Sequence, residues 1–239
     1  MDALELGDNN TAVGSNALTT SWGQSNNTAI GDNALANNTA PNNTAVGFRT
    51  LLSNTEGTAN VGLGLYALRN NTLGSNNTAV GRSALVSNTT GINNTAVGYN
   101  TLANTTTGFR NSALGFRAGC SITTGTGNVA IGGYSLYNNT TTGANTAIGL
   151  AALLCNTANN NTAVGYNSSR LNVSGTGNTS LGFESLCNNT ASNNTAVGHR
   201  AMIDNTTGFR NVAVGRNSME NNTAGNYNVA IGDNSLPNN

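Results

Sequence analysis

Apolar and polar positions recur along this chain with a period of about 17 residues. The run Asn-Asn-Thr-Ala-Val-Gly at Asn9–Gly14 returns at Asn42–Gly47, Asn76–Gly81, Asn93–Gly98, Asn160–Gly165 and Asn193–Gly198, with looser copies between. The closing glycines form a series: Gly14, Gly31, Gly47, Gly64, Gly81, Gly98, Gly115, Gly132, Gly149, Gly165, Gly182, Gly198, Gly215 and Gly232. Successive members are 17 residues apart ten times and 16 apart three times. A near-fixed period across a whole chain is the signature of a solenoid or array.

The columns of the repeat predict its local structure. The residue three before each anchor Gly is Thr, Ser or Val, and the residue just before it is Val, Ile or Leu. Between them stands a small residue: Ala, Gly62 or Ser180. This alternation, rich in β-branched residues, predicts a short strand. Thr/Val and Val/Ile/Leu share one side of the strand and Ala lies on the other, and the thin core is expected to be built from Val, Ile, Leu and Ala. Four residues after the anchor a second apolar column appears, Leu18, Leu35, Leu51 and onward, broken at Gly119 and Ser169. It predicts a second short strand. The loop closing many 17-residue steps carries a Gly seven before the next anchor, such as Gly74 or Gly91, expected to supply a positive φ angle. The three 16-residue steps replace it with Asn-Thr-Ala at Asn38–Ala40, Asn156–Ala158 and Asn189–Ala191. They predict a tighter turn with the strand register intact.

Seventeen residues leave no room for a helix of ordinary length with its connections. The fold class is therefore all-β: a single-domain parallel β-solenoid, or β-roll, of about 14 coils with a 16–17-residue repeat. Residues 1–8 form a lead-in and 9–239 the repeat domain. Coils stacked about 4.8 Å apart predict a rod on the order of 60 Å. So thin a core buries little surface, and oligomerisation is expected. Neither end shows an obvious polar cap, which predicts continuation into another domain or end-to-end stacking.

Asn occurs 47 times. Its position four before the anchor is invariant: Asn10, Asn27, Asn43, Asn60, Asn77, Asn94, Asn111, Asn128, Asn145, Asn161, Asn178, Asn194, Asn211 and Asn228. Stacked amides at one column predict a buried ladder, each amide bonded to those above and below. Elsewhere Asn is read as a turn residue.

Charge alters the picture by what it excludes. Nine acidic residues balance nine arginines, and Lys is absent. With no basic stripe, nucleic acid is not an expected partner. No segment is long and apolar enough to insert in a membrane, and the N-terminus lacks the basic start and apolar core of a signal peptide. Cys120, Cys155 and Cys187 fall two coils apart, roughly 10 Å at the strand spacing, beyond disulfide reach. They are read as free thiols. The lone His199 has no second ligand at metal spacing. No Ser-His-Asp or Cys-His arrangement is brought together. No two carboxylates share a column on adjacent coils, as a glycosidase pair would require. No catalytic residue, metal or cofactor is expected, and the chain is read as no enzyme. The column just after the anchor varies most. Its apolar members Phe48, Leu65, Tyr99, Phe116, Leu150, Tyr166 and Phe183 form a candidate stripe for subunit contact or ligand binding.

The motif Asn-x-Ala-Val/Ile-Gly followed by a small residue and Leu, clearest at Asn128–Gly132 and Asn228–Gly232, resembles the head repeats of trimeric autotransporter adhesins, the YadA-like heads. Similar arrays occur in fibre proteins of phages and large viruses. The resemblance covers Asn9 to Leu236 and implies a left-handed β-roll, a homotrimer and an adhesive or spacer role outside the cell, on a cell or virion surface. The coil here is longer than the adhesin-head coil, so its loops should project more. The expected function is thus a structural or adhesive segment of a surface fibre, trimeric or filament-forming. Its possible partners are a host surface glycan or protein. A glycan-binding tail-fibre or spike segment is the alternative. An ice-binding solenoid is less favoured, because Val61, Val129, Val212 and Val229 interrupt the Thr column and its Val/Ile/Leu partner is expected in the core.

Overall fold

Each copy of the repeat contributes one three-residue strand, and within each of two units the strands pair in parallel with their counterparts in the next coil. The computed structural model describes residues 7–20 and 23–238. Most of the expected lead-in, Trp22 and Asn239 lie outside the described residues. The described chain is an all-β parallel solenoid and falls into two compact units, one ending at Thr124 and one beginning at Gly125.

The first unit holds β1 (Thr11–Val13), β2 (Thr28–Ile30), β3 (Thr44–Val46), β4 (Val61–Leu63), β5 (Thr78–Val80), β6 (Thr95–Val97) and β7 (Ser112–Leu114). The second holds β8 (Val129–Ile131), β9 (Thr146–Ile148), β10 (Thr162–Val164), β11 (Thr179–Leu181), β12 (Thr195–Val197), β13 (Val212–Val214) and β14 (Val229–Ile231). Within each unit the strands stack in chain order, with like columns paired: Thr78 with Thr95, Ala79 with Ala96, Val80 with Val97. The 16-residue steps keep this register, pairing Thr28 with Thr44, Thr146 with Thr162 and Thr179 with Thr195. The missing residue is absorbed in the loop. There the Asn38 amide donates to the carbonyl two residues on, Ala40, at 2.7 Å, whereas in a 17-residue coil Asn71 donates to the carbonyl three residues on, Gly74, at 2.8 Å.

Of the strand residues expected in the core, Ala is there, but the Val, Ile and Leu column is outside. Ala29, Ala45, Ala79, Ala96, Ala147, Ala163, Ala196 and Ala213 are fully buried. Their neighbours face outward: Ile30, Leu63, Leu114, Ile131 and Leu181 are all exposed, Leu114 by 49%. The reason is volume. The interior of a 17-residue coil already holds the Leu column, so the strand can offer it only a methyl group. Val, Ile and Leu are turned out because they do not fit, whatever their hydrophobicity.

The second apolar column forms no strand. Leu35, Leu51, Leu68, Leu85 and Leu102 lie in a turn with φ of 49–51°. This left-handed conformation costs an L-residue roughly 1–2 kcal/mol. Burial of the whole Leu side chain offsets it by about 1.5–3 kcal/mol, and all five are fully buried. Their amides still bond coil to coil: Leu85 N–H donates to Thr101 C=O at 3.0 Å. Where the column lapses, neighbours compensate. A Cβ on Gly119 would meet Ile122 Cδ1 at 3.0 Å, so Ile122 occupies the missing side chain's place. At Ser169 the interior turns polar instead. Ser168, Ser169, Ser180 and Ser185 are buried and share hydroxyl bonds of 2.6, 2.8 and 3.1 Å.

Glycine is obligatory at the anchor. All fourteen anchors have φ between 121° and 141°, a region closed to side chains. The loop glycines serve another purpose: Gly74 and Gly91 do not have the positive φ expected from sequence. They are there for proximity, since a Cβ on Gly74 would sit 2.4 Å from Gly91 O and 2.4 Å from Asn71 Oδ1. At the anchor both constraints coincide, because a Cβ on Gly81 would lie 2.5 Å from Gly98 O. Gly81→Ala is therefore expected to destabilise the protein by at least about 3 kcal/mol. Ser83→Gly, at a φ of 57°, should be neutral or stabilising by up to about 1 kcal/mol. Urea midpoints of the two variants check both expectations.

Candidate functional site

The coil has one asparagine face inside and two chemically distinct faces outside. The Asn column four before the anchor is buried from Asn27 to Asn211. Its bonding differs from the amide-on-amide ladder expected. Each Oδ1 accepts from the backbone N–H of the next Asn: Asn60 to Asn43, Asn77 to Asn60 and Asn94 to Asn77, each at 3.0 Å. In most coils Nδ2 donates to a loop carbonyl of the next coil, as Asn43 to Gly57, Asn60 to Gly74 and Asn77 to Gly91, at 2.8 Å; Asn27 Nδ2 is buried without a partner. The side chain thus replaces a ladder hydrogen bond where the strand has ended. Direct amide bonds along this column are longer, for example 3.2 Å from Asn77 to Asn60.

An amide ladder of the expected kind exists in a column the sequence reading treated as turn. Seven residues after the anchor stand Asn38, Asn54, Asn71 and Asn88 in the first unit, and Asn139, Asn156, Asn172, Asn189, Asn205 and Asn222 in the second. All ten are fully buried. Asn71 donates to Asn54 and Asn88 to Asn71, both at 2.6 Å; Asn205 donates to Asn189 at 2.7 Å. Recurrence at one column was the available signal. The ladder stops at Thr105, whose hydroxyl donates to Ile122 C=O at 3.1 Å, and Asn88 Oδ1 is left buried without a partner. Both Asn columns bond one coil to the next.

The first outer face is the strand face. Its two outward columns are Thr, Ser or Val on one side and Val, Ile or Leu on the other, and none of these positions is charged. The second is the turn face, made by side chains one, two and five residues after the anchor. Here lie the sequence-predicted stripe and most of the arginines. In the first unit Phe48 meets Tyr66 edge-on at 5.6 Å, Leu65 is half-buried, and Tyr99 stacks on Phe116 at 5.4 Å. In the second unit Tyr166, Phe183 and His199 form a continuous stack with centroids 5.2 and 5.1 Å apart, and Leu150 is exposed beside it. Arginines cover the rings: Arg49 over Phe48, Arg69 over Tyr66, Arg82 over Tyr99 and Arg117 over Phe116, at 4.9–5.6 Å. The sequence stripe is thus one edge of a broader aromatic and guanidinium surface. Tyr66 and Tyr134, two residues after their anchors, belong to it as well. Phe209 meets Tyr227 edge-on at 5.3 Å, and Arg210 donates to the Tyr227 hydroxyl at 2.9 Å.

Asp204 and Glu220 stand in neighbouring columns, not one: Asp204 N–H donates to Glu220 C=O at 3.1 Å with the one-residue offset of the other coil-to-coil bonds, such as Ser53 N–H to Arg69 C=O. Both carboxylates are engaged: Arg200 pairs with Glu220 at 3.2 Å, and Asn188 donates to Asp204 at 2.8 Å. Among the described residues no group of three or more His, Cys, Asp or Glu could hold a metal ion. The three cysteines are free; Cys187 is buried, and burial pushes its thiol and that of Cys120 above the usual range. No helix among the described residues is long and apolar enough to cross a membrane.

No family model matches the chain, and no curated protein sequence matches it.

The inner ladder makes a prediction. Asn71→Ala removes the donor to Asn54 and the acceptor of Asn88 at once. Each orphaned buried group costs about 1–3 kcal/mol, so a loss of about 3 kcal/mol is expected in chemical unfolding. Asn70→Ala, at an exposed neighbour, should change stability by less than about 0.5 kcal/mol.

Proposed function

We propose that this chain is a non-enzymatic structural segment of a surface fibre and associates with copies of itself through the strand face. The observation that carries this reading is the outward row of Thr, Val, Ile and Leu in each unit. Seven coils at about 4.8 Å, with two columns of side chains, present a patch on the order of 400 Å² per unit. Patches of that size, free of charge, mark interaction surfaces on soluble proteins. One partner in a standard interface contributes about 800 Å², so the face of a single unit supplies about half of that. The aligned columns also suit packing of one sheet face on another, because outer side chains repeat in register and can interdigitate. No charge within the face opposes its burial.

Three chains side by side is the arrangement the adhesin-head resemblance favours, and a cell or virion surface is the corresponding location. Adhesive contact with a host glycan or protein then falls to the turn face. The same exposed face gives the ice-binding reading a second hearing: the Val/Ile/Leu column, expected in the core, is outside and available to ordered water. Against it stand the gaps in the Thr row and the bulk of Leu63, Leu114 and Leu181 beside smaller Val neighbours, which spoil a regular lattice.

Light scattering with negative-stain imaging tests the proposal. A mass of about 73 kDa, three times 24.2 kDa, is the expected result. The double variant Leu63→Lys/Leu181→Lys, at exposed strand-face positions, should reduce it to a single chain without unfolding the coil. A single-chain mass for the unaltered protein would overturn self-association. Long filaments would replace the trimer by end-to-end stacking. Thermal hysteresis by a monomer would favour the ice-binding reading.

A further inference from the structure

On the turn face of the second unit, three consecutive coils leave an open groove of about 610 Å³. Its origin is a single small residue. Two places after the anchor most coils carry a larger side chain, among them Arg49, Tyr66, Arg117, Tyr134, Glu184 and Arg200. Ala151 is the only alanine in this column, and the groove is the notch it leaves between Tyr134 and Asn167. Leu150 and Leu154 contribute its apolar lining, Tyr137 closes one end edge-on to Tyr134 at 5.4 Å, and Tyr166 forms the opposite wall.

Several polar groups here are open to a ligand, while Asn138 donates to Cys155 Sγ at 3.8 Å. Among the described residues, the hydroxyls of Tyr137 and Tyr166 and the amide of Asn167 make no side-chain hydrogen bond. Arg170 also lines the groove and is the exception among the nine arginines. The guanidiniums of Arg49, Arg69, Arg82, Arg110, Arg117 and Arg210 lie over aromatic rings. Arg200 and Arg216 pair with carboxylates. Among the described residues Arg170 lies over no ring and pairs with no acid, and no carboxylate lines the groove.

We propose that this groove binds an acidic saccharide, a sugar bearing a carboxylate. The chemistry required is an aromatic wall for the C–H face of a pyranose ring, neutral donors and acceptors for its hydroxyls, and one cation for its acid. Tyr166 and Tyr134 supply the first. Asn167 and the two tyrosyl hydroxyls supply the second, the amide offering donor and acceptor together. Arg170 supplies the third with a planar fork that matches a carboxylate in two parallel hydrogen bonds. A groove within the ~300–1,000 Å³ range of ligand sites accommodates one or two sugar rings and is open enough for a longer chain to pass through. The site is independent of self-association, because it lies on the turn face and the proposed subunit contact lies on the strand face.

Trigalacturonate is the probe, with maltotriose as the neutral control and acetate as the carboxylate alone. Isothermal titration should detect trigalacturonate binding, and saturation-transfer NMR should show contact with its ring protons. Arg170→Gln should weaken that binding about tenfold or more and leave the weaker maltotriose signal unchanged. Ala151→Tyr should abolish both by filling the notch. The fold should tolerate it, since Tyr66 and Tyr134 hold the equivalent position with φ of 62° and 57°, beside 57° at Ala151. Light scattering on the same samples should give one mass for all variants, separating loss of the groove from loss of assembly. No trigalacturonate binding at millimolar concentration, or binding unaffected by both substitutions, would overturn the proposal. Equal binding of maltotriose and trigalacturonate would overturn its acidic specificity, and binding of acetate alone would reduce the site to an anion contact.

Discussion

Direct stacking of backbone on backbone is the constraint from which the other features follow. Each anchor glycine lies so close to the next that a Cβ would fall 2.2–2.9 Å from the neighbouring carbonyl oxygen wherever another anchor stands above it in the same unit. At that distance the coils share every contact their main chains can make, through strand bonds where the backbone is extended and through Asn side chains where it is not. The interior between opposite walls is then narrow. It takes a methyl from the strand, one Leu from the turn, and amides whose bonds are satisfied by other amides or by loop carbonyls. A larger strand residue must face out, which creates the uncharged outer face.

This ordering explains what the sequence disclosed. The period, the strands, the register across 16-residue steps and the buried Leu column could all be read from spacing, because each leaves one residue type at one column. The outward Val, Ile and Leu column was misread because hydrophobicity was weighed and volume was not. The column that never exceeds Ala or Ser in size marks the interior, and the column that ranges from Val to Leu marks the outside. The loop glycines were misread for a related reason. Glycine was assigned to torsion at Gly74, where the limit is the distance to the next coil. The second Asn column was visible as a recurrence, but Asn is so frequent in turns that position seven looked ordinary until Asn54, Asn71 and Asn88 were seen to share amide bonds.

The candidate surface was legible only in part. Phe48, Tyr99, Phe116, Tyr166 and Phe183 stood out as an apolar column beside the anchor. What the column could not show is how neighbouring columns complete it. Tyr66, Arg69, Tyr134 and Arg170 sit two and five residues after the anchor, and a turn with two left-handed residues brings them next to the stripe. The groove is harder still to foresee, since it arises from what Ala151 lacks.

Because each coil is bonded only to the coil before and the coil after it, whole coils are interchangeable parts. Six copies of Asn-Asn-Thr-Ala-Val-Gly place near-identical segments at multiples of one structural step. Recombination between such segments would insert or delete entire coils and keep the Asn column four before the anchor continuous. Length can therefore change during descent in increments of one strand spacing, while faces and register survive. A loop that loses one residue, as at Asn38–Ala40, is absorbed without disturbing its neighbours, so unequal crossovers need not be exact to give a chain that folds.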